Sequence, residues 1–289
     1  EKLLSKEDLL LTFLAQKYPN EYVDIDNVFS WFSETLIVLS SSFKVNGMIH
    51  LININSEIRD FINTFIPNLS TGIEKFHIKT DRIEKTFPDL SEENKKELID
   101  KIKREGNEGA AFYDNYTREE VGIVLGEDNH LYTKRLFTEH LGRNGYKGQF
   151  PFRLESDGTK RLLEYAPLIS DIINNERVYI VDEIERSIHP MMIKELIKKI
   201  SSDTTAKGQL IFTTHESCLL DQEILRPDEI WFTQKDMGGA TQMYSLSDFN
   251  ISNTATVEND YLNGRYGGIP FLSNLKELNW HTDDIPNQK

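Results

Sequence analysis

The feature that most constrains this chain is a run of four apolar residues closed by two carboxylates, Val178-Tyr179-Ile180-Val181-Asp182-Glu183. A short, unbroken apolar run predicts a strand buried on both faces, as in a parallel sheet. Ligands of open α/β folds bind beyond the carboxyl ends of such strands. Neighbouring side chains on an extended chain point to opposite sides, so the two acids can serve two different partners.

The pattern around this strand alternates between strand and helix. A helix is predicted from Thr159 to Asn174, with Leu162, Leu163, Ala166, Leu168, Ile169, Ile172 and Ile173 inside and Pro167 kinking or splitting it. Pro190 suits the first turn of another helix, which carries Ile193, Leu196, Ile197 and Ile200. Strands are expected at Leu210 to Thr213, at Glu229 to Thr233 and, after a turn from Asp236 to Gly239, at Gln242 to Leu246. Such alternation implies right-handed crossovers and a largely parallel sheet.

Residues 1–107 read as mainly helical. Ser5 is a candidate cap with Asp8 three positions on, 27–38 and 58–65 carry helical apolar spacing, and Ser91 opens a charged surface helix that Gly106 ends. Within that part 76–83 alternates weakly, as a strand would, and 109–137 holds short strands around an Asp128-Asn129 turn. The three glycines of 140–148 read as a loop, and the division of the chain is placed at 107/108.

Charge and composition narrow the function. The chain has 33 basic and 47 acidic residues, a net charge of −14, so nucleic acid is repelled on average and could be met only by a local basic patch. No apolar run approaches the ~20 residues of a membrane-crossing helix, so no membrane partner is expected. Cys218 is the only cysteine, which excludes an intrachain disulfide and fits a reducing cytoplasm. The seven histidines show no metal-cluster spacing.

Three segments carry chemistry. Asp182 and Glu183 at a strand end have the logic of a Walker B strand: Asp182 would hold Mg²⁺ and Glu183 would polarise an attacking water. Thr213-Thr214-His215 closes the next strand, where His215 can hydrogen-bond a terminal phosphate. Upstream, Glu155-Ser156-Asp157-Gly158-Thr159-Lys160-Arg161 opens the long helix; Ser156 is a plausible cap, Gly158 permits close backbone approach, and a helix N-terminus attracts phosphate.

In this order, with Ser187-Ile188-His189-Pro190 between the acids and the histidine, the segments resemble the carboxyl-terminal lobe of ABC-class ATPases. The wording Glu-Ser-Asp-Gly-Thr-Lys-Arg, then Asp-Glu-Ile-Glu-Arg-Ser-Ile-His-Pro, is similar to the SMC/RecF/OLD-like branch, in particular to the AAA-type ATP-binding proteins of prokaryotic anti-phage defence. The tail Tyr261-Leu262-Asn263-Gly264-Arg265-Tyr266-Gly267-Gly268-Ile269-Pro270-Phe271 is also similar to theirs; as a plain sequence it reads as a packed, glycine-rich closing loop. The specific resemblance covers 130–289. The fold it implies is α/β, an ABC-type carboxyl-terminal lobe with a mainly parallel sheet flanked by helices, with residues 1–107 as a helical insertion or lid and 108–289 as the core.

The resemblance further implies ATP and Mg²⁺ as cofactors and a head-to-tail dimer of the chain with itself. In such a site one copy gives Asp182, Glu183 and His215; the other gives the signature tip, with Ser156, Asp157, Gly158, Thr159 and Lys160 as the nucleotide-binding residues. Lys160 and Arg161, in the first turn, otherwise read as solvated surface. An effector such as a nuclease would be the partner in defence; a DNA-repair or DNA-clamping ATPase and a non-hydrolysing scaffold are the alternatives. Two departures stand out. His189 replaces the aspartate usual in transporters, and no Gly-x-x-x-x-Gly-Lys-Ser/Thr occurs in the chain. That loop cradles the β-phosphate, so ATP hydrolysis is expected only when a segment carrying it complements this chain. The start at Glu1, without Met, fits the expectation that such a segment precedes it in a longer protein.

Overall fold

The structure is a computed structural model; it describes residues 9–104, 109–114, 119–236, 238–251 and 257–269. The expected caps at Ser5 and Asp8 and the stop at Gly106 lie outside the described residues. The chain forms two compact units, Glu1–His215 and Glu216–Lys289.

The first unit begins with helices α1 (Leu10–Lys17) and α2 (Val23–Ser30), neither of which buries a side chain. A short π-helical turn then leads into strand β1 (Leu36–Leu39). This corrects the helical reading of 27–38: the Leu36-Ile37-Val38-Leu39 run is extended and pairs in parallel with the strand of the acidic pair. Helices α3 (Met48–Ile54) and α4 (Ser56–Phe65) follow; Asn55 caps α4 by accepting the Ile58 amide at 3.0 Å. Strand β2 (Ile73–Arg82), the short helix α5 (Ile83–Thr86) and the surface helix α6 (Glu92–Arg104) come next.

Strands β3 (Gly109–Asp114), β4 (Glu119–Leu125), β5 (Leu131–Leu141) and β6 (Lys147–Pro151) join β2 in an antiparallel sheet of order β2-β5-β4-β3, with β6 also on β5. Ile83, Ile102, Ile123 and Leu131 form the core beneath it. The expected 140–148 loop is a hairpin instead: His140 pairs with Gly148, and Asn144 takes the turn at φ 61°. Because β2 pairs with β5, this sheet draws on both sides of residue 107, whereas the compact units divide after His215.

Helix α7 (Asp157–Asn174) is one continuous helix, so Pro167 does not split it. Burial of Leu163, Ala166, Leu168 and Ile169 on either side of Pro167 holds the helix together across the missing amide. Strand β7 (Val178–Val181), helix α8 (Pro190–Ser201) and strand β8 (Gln209–Phe212) complete the unit. The parallel sheet has order β1-β7-β8, with the strand of the acidic pair in the middle. The fold is therefore mixed α/β with a helix-flanked parallel sheet, of three strands among the described residues. On one face Tyr179 and Val181 are buried; on the other Val38 and Ile211, in register through Ile180, are 65% and 45% exposed.

In the second unit, β9 (Trp231–Lys235) and β10 (Thr241–Ser245) form an antiparallel hairpin, followed by α9 (Val257–Leu262). The strand expected at 229–233 thus belongs to this hairpin and not to the parallel sheet. Its core is Ile230, Phe232, Leu246, Val257 and Tyr266. The described part of the tail closes that core. Tyr261 and Tyr266 stack on Phe232, and the Tyr244 hydroxyl donates to the Tyr266 carbonyl at 2.7 Å. Gly267 sits at φ +68°, which strains any other residue, and a Cβ there would also press on Gln234 Oε1 and Tyr244 Oη at 2.5 Å each.

Candidate functional site

Asp182 and Glu183 leave the carboxyl end of the central parallel strand, and Thr213 leaves the end of its neighbour in register with them. The Thr213 hydroxyl donates to Asp182 Oδ1 at 2.7 Å and accepts the Glu183 amide at 2.8 Å. One hydroxyl thus fixes the Asp182 carboxylate and the Glu183 backbone. That second bond holds Glu183 at φ 47°, a left-handed conformation that costs a non-glycine residue ~1–2 kcal/mol. On the other side the Asp182 amide donates to the Leu39 carbonyl at 2.9 Å, tying the pair to β1.

His215 follows Thr213 by two residues. Its amide donates to Glu185 Oε1 at 2.9 Å, while Glu185 Oε2 is buried without a hydrogen-bond partner. Beneath this loop the buried Tyr165 hydroxyl donates to the Ile184 carbonyl at 2.8 Å. His189 has a local role: its Nδ1 accepts the Met191 amide at 3.2 Å, so the histidine caps α8 ahead of Pro190.

The predicted signature residues form the first turn of α7. Ser156 is its N-cap, accepting the Thr159 amide at 3.1 Å, with its hydroxyl 2.9 Å from that of Thr159. Asp157 is exposed and lies 3.6 Å from Lys160. Gly158 packs on the loop after β7: a Cβ there would lie 2.6 Å from the Ser187 carbonyl. Ser187 itself is left-handed, at φ 66°. The structure therefore brings Asp182, Glu183 and His215 to one sheet edge, and joins the Ser156–Lys160 turn to them through the Gly158–Ser187 contact.

Arg161 corrects the surface reading. It is 6% exposed, stacked over Phe43 and Tyr165 with its guanidinium carbon 4.1 and 4.8 Å from the ring centres. It donates to the carbonyls of Phe43 (2.9 Å) and Ser41 (3.2 Å) and to Glu164 (3.1 Å). Burial raises the Glu164 carboxyl above the usual range and outweighs the lowering by Arg161. Arg161 thus clamps the loop after β1 onto α7, beside a cleft of about 610 Å³ that Lys44, Asp157, Lys160, Arg186 and Ser187 help to line. Arg161, Thr213 and Glu185 are the site residues whose roles sequence reasoning missed; the only signal was Thr213, a hydroxyl placed directly after a strand.

Asp182 with the Thr213 hydroxyl suits Mg²⁺, which takes one or two carboxylates and completes its shell with water and phosphate oxygens. Among the described residues there is no cluster of three or more His, Cys, Asp or Glu side chains that could hold a metal. No described helix is long and apolar enough to cross a membrane.

A strand-end acid pair at the carboxyl edge of a parallel sheet, with a capped helix tip nearby, is an arrangement open to a ligand beyond the sheet edge in α/β domains. The chain belongs to the AAA family described as "AAA domain, putative AbiEii toxin, Type IV TA system", which it matches over residues 25–221. That span takes in β1, the Ser156–Lys160 turn, the acid pair and His215, and ends before the tail. No curated protein matches the chain. Among solved structures it is similar to a Smc head domain from Pyrococcus furiosus, with an extended coiled coil and bound to the C-terminal domain of ScpA. The identity is 12% and the TM-score 0.33, over 66% of this chain and 34% of that one. It is also similar to an SmcHead bound to the C-winged helix domain of ScpA, at 12% identity and TM-score 0.35 over 68% and 48%. The chain spans about a third to a half of the length of these two.

Proposed function

We propose that this chain is the carboxyl-terminal lobe of an ABC-type ATPase that hydrolyses ATP at a site shared by two copies. One observation carries the reading: the Thr213 hydroxyl joins Asp182 and Glu183 at the edge of the central parallel strand, with His215 two residues further on. In this arrangement Asp182, oriented by Thr213, would hold Mg²⁺, whose charge would offset that of the phosphates. Glu183 orients and deprotonates the attacking water, and His215 donates to the terminal phosphate. Ser156, Gly158 and Thr159 of the opposing copy offer a helix N-terminus to the same phosphate, with Asp157 and Lys160 at the rim.

Supporting the need for a further segment, the sequence holds no phosphate-cradling glycine–lysine loop. One face of the parallel sheet is also open at Val38 and Ile211, where parallel sheets are ordinarily covered on both sides. We infer that a strand and helix carrying that loop complete the sheet. The two-copy site then closes on ATP and reopens on hydrolysis. Its resemblance to defence ATPases supports a cytoplasmic sensor or regulator that gates an effector such as a nuclease. Within this reading the first 107 residues contribute to the insertion, and the acidic net charge of −14 argues against DNA as the principal ligand.

The test is Glu183→Gln in the protein that includes the phosphate-binding loop. It should keep ATP-dependent self-association and lose turnover by ~10²–10⁴-fold, as expected for removal of a general base. Wild-type hydrolysis by this variant would refute the assignment.

A further inference from the structure

The residue just before the helix cap, Glu155, is not solvated as its position on a turn would suggest. Its side chain is 11% exposed, and one oxygen, Oε1, meets two groups of β5: the Thr138 hydroxyl donates to it at 2.5 Å, and His140 Nε2 lies 2.7 Å away. Thr138 is itself fully buried and contacts the Phe150 carbonyl of β6 at 3.3 Å. The ring of Phe150 packs edge-on against His140 at 5.6 Å, and Phe152, three residues before Glu155, packs on Phe76 of β2 at 5.9 Å. Three strands of the antiparallel sheet therefore converge on the short segment that leads into Ser156.

We propose that Glu155 is a positioning residue through which the antiparallel sheet sets the helix tip. Thr138 and His140 share one face of β5, two residues apart, so a shift of that strand moves both partners of the carboxylate together. Glu155 is bonded to Ser156, whose hydroxyl and carbonyl accept the Thr159 and Lys160 amides at 3.1 and 3.0 Å. A displaced Glu155 therefore loosens the two amides that define the first turn. A partner that binds the sheet and moves β5 thereby changes how the tip is presented, which makes the sheet a lever on nucleotide-dependent pairing. That last consequence rests on the function proposed above; the positioning itself does not.

The experiment follows amide hydrogen exchange in this chain, comparing wild type with Glu155→Ala, Glu155→Gln, His140→Gln and Thr138→Val. Glu155→Ala should speed exchange at Thr159 and Lys160 by about tenfold or more and leave Tyr179 and Ile180 unchanged, a local opening and not a global one. Glu155→Gln keeps an acceptor at the same place and should exchange within about threefold of wild type. If Glu155→Ala fails to fold, Thr138→Val and His140→Gln, each disturbing one partner, must still speed those two amides. Unchanged exchange at Thr159 and Lys160, or a Gln variant as fast as Ala, would overturn the proposal. With the phosphate-binding segment present, Glu155→Ala should also lower kcat with little change in KM for ATP, as expected for a tip that acts on nucleotide already bound. Should Glu183→Gln hydrolyse ATP normally while exchange responds as described, the nucleotide reading fails and the positioning role stands. Should Glu183→Gln be arrested while exchange at Thr159 and Lys160 stays silent, the positioning role fails and the nucleotide reading stands.

Discussion

Replacing Arg161 by alanine tests the packing between the helix tip and β1. The guanidinium gives three hydrogen bonds and two ring contacts from a site that is 6% exposed. The Ser41 and Phe43 carbonyls lie beside an open cleft, so water can replace part of what they lose; about 1 kcal/mol each is the appropriate scale. The two ring contacts contribute ~1–2 kcal/mol together. Glu164 would lose one hydrogen bond, ~1 kcal/mol on the same scale. The total is about 4–5 kcal/mol, within the range for breaking a buried ion pair. Urea denaturation should show it as a fall in midpoint on the order of 1 M at an unchanged slope. Arg161→Lys keeps the charge but not the planar fork and should recover less than half of the loss. An unfolding free energy for Arg161→Ala within ~0.5 kcal/mol of wild type would show that the clamp bears no weight, since changes of that size are typical of exposed sites.

Two smaller effects follow from the same region. Gly158→Ala should destabilise by ~1–3 kcal/mol in thermal or urea unfolding, because the new methyl meets the Ser187 backbone carbonyl and not a movable side chain; equal stability would mean that the turn yields freely. Glu164 binds its proton more tightly in the folded state than in the unfolded chain, so its stabilisation is complete below the ordinary value of 4.5 and is lost as pH rises through the raised value. Glu164→Gln should therefore flatten the decline in stability from weakly acidic pH toward neutrality, and a slope identical to wild type would contradict the burial argument.

What the sequence discloses here depends on whether the signal is local. Ser156, Pro190 and the Val178–Val181 run act through neighbours a few residues away, and each forms the cap, first turn or strand that its pattern predicts. The Leu36–Leu39 run is long enough for one turn of helix or one short strand, and only its parallel partner at Val178–Val181 decides between them. The glycines near 142–148 read as a loop, yet the residues flanking them pair with each other, so the turn is only the tip of a hairpin. Arg161 and Lys160 are equivalent in sequence. The difference is Phe43, which reaches Arg161 from a segment 118 residues away. His189 looked like a missing aspartate and is a helix cap with its own acceptor nitrogen.

Two routes within one chain join the helix tip to the acid pair. One runs from Gly158 to Ser187 and back along the loop to Glu183; the other runs from Arg161 through the Ser41–Phe43 loop to β1, whose Leu39 carbonyl accepts the Asp182 amide. In the proposed dimer, however, the tip and the acids of one chain serve different nucleotides, because each site takes its acids from one copy and its tip from the other. A change at Glu155 would then act at two places: on the chain's own acids through Gly158 and Ser187, and on the opposing site through the presented helix end. Coupling of this kind requires elements with discrete arrangements rather than a soft hinge. Glu183 and Ser187, both left-handed without being glycine, are the places to look for such elements: the Thr213 hydroxyl holds the Glu183 amide, and the Ser187 carbonyl packs against Gly158.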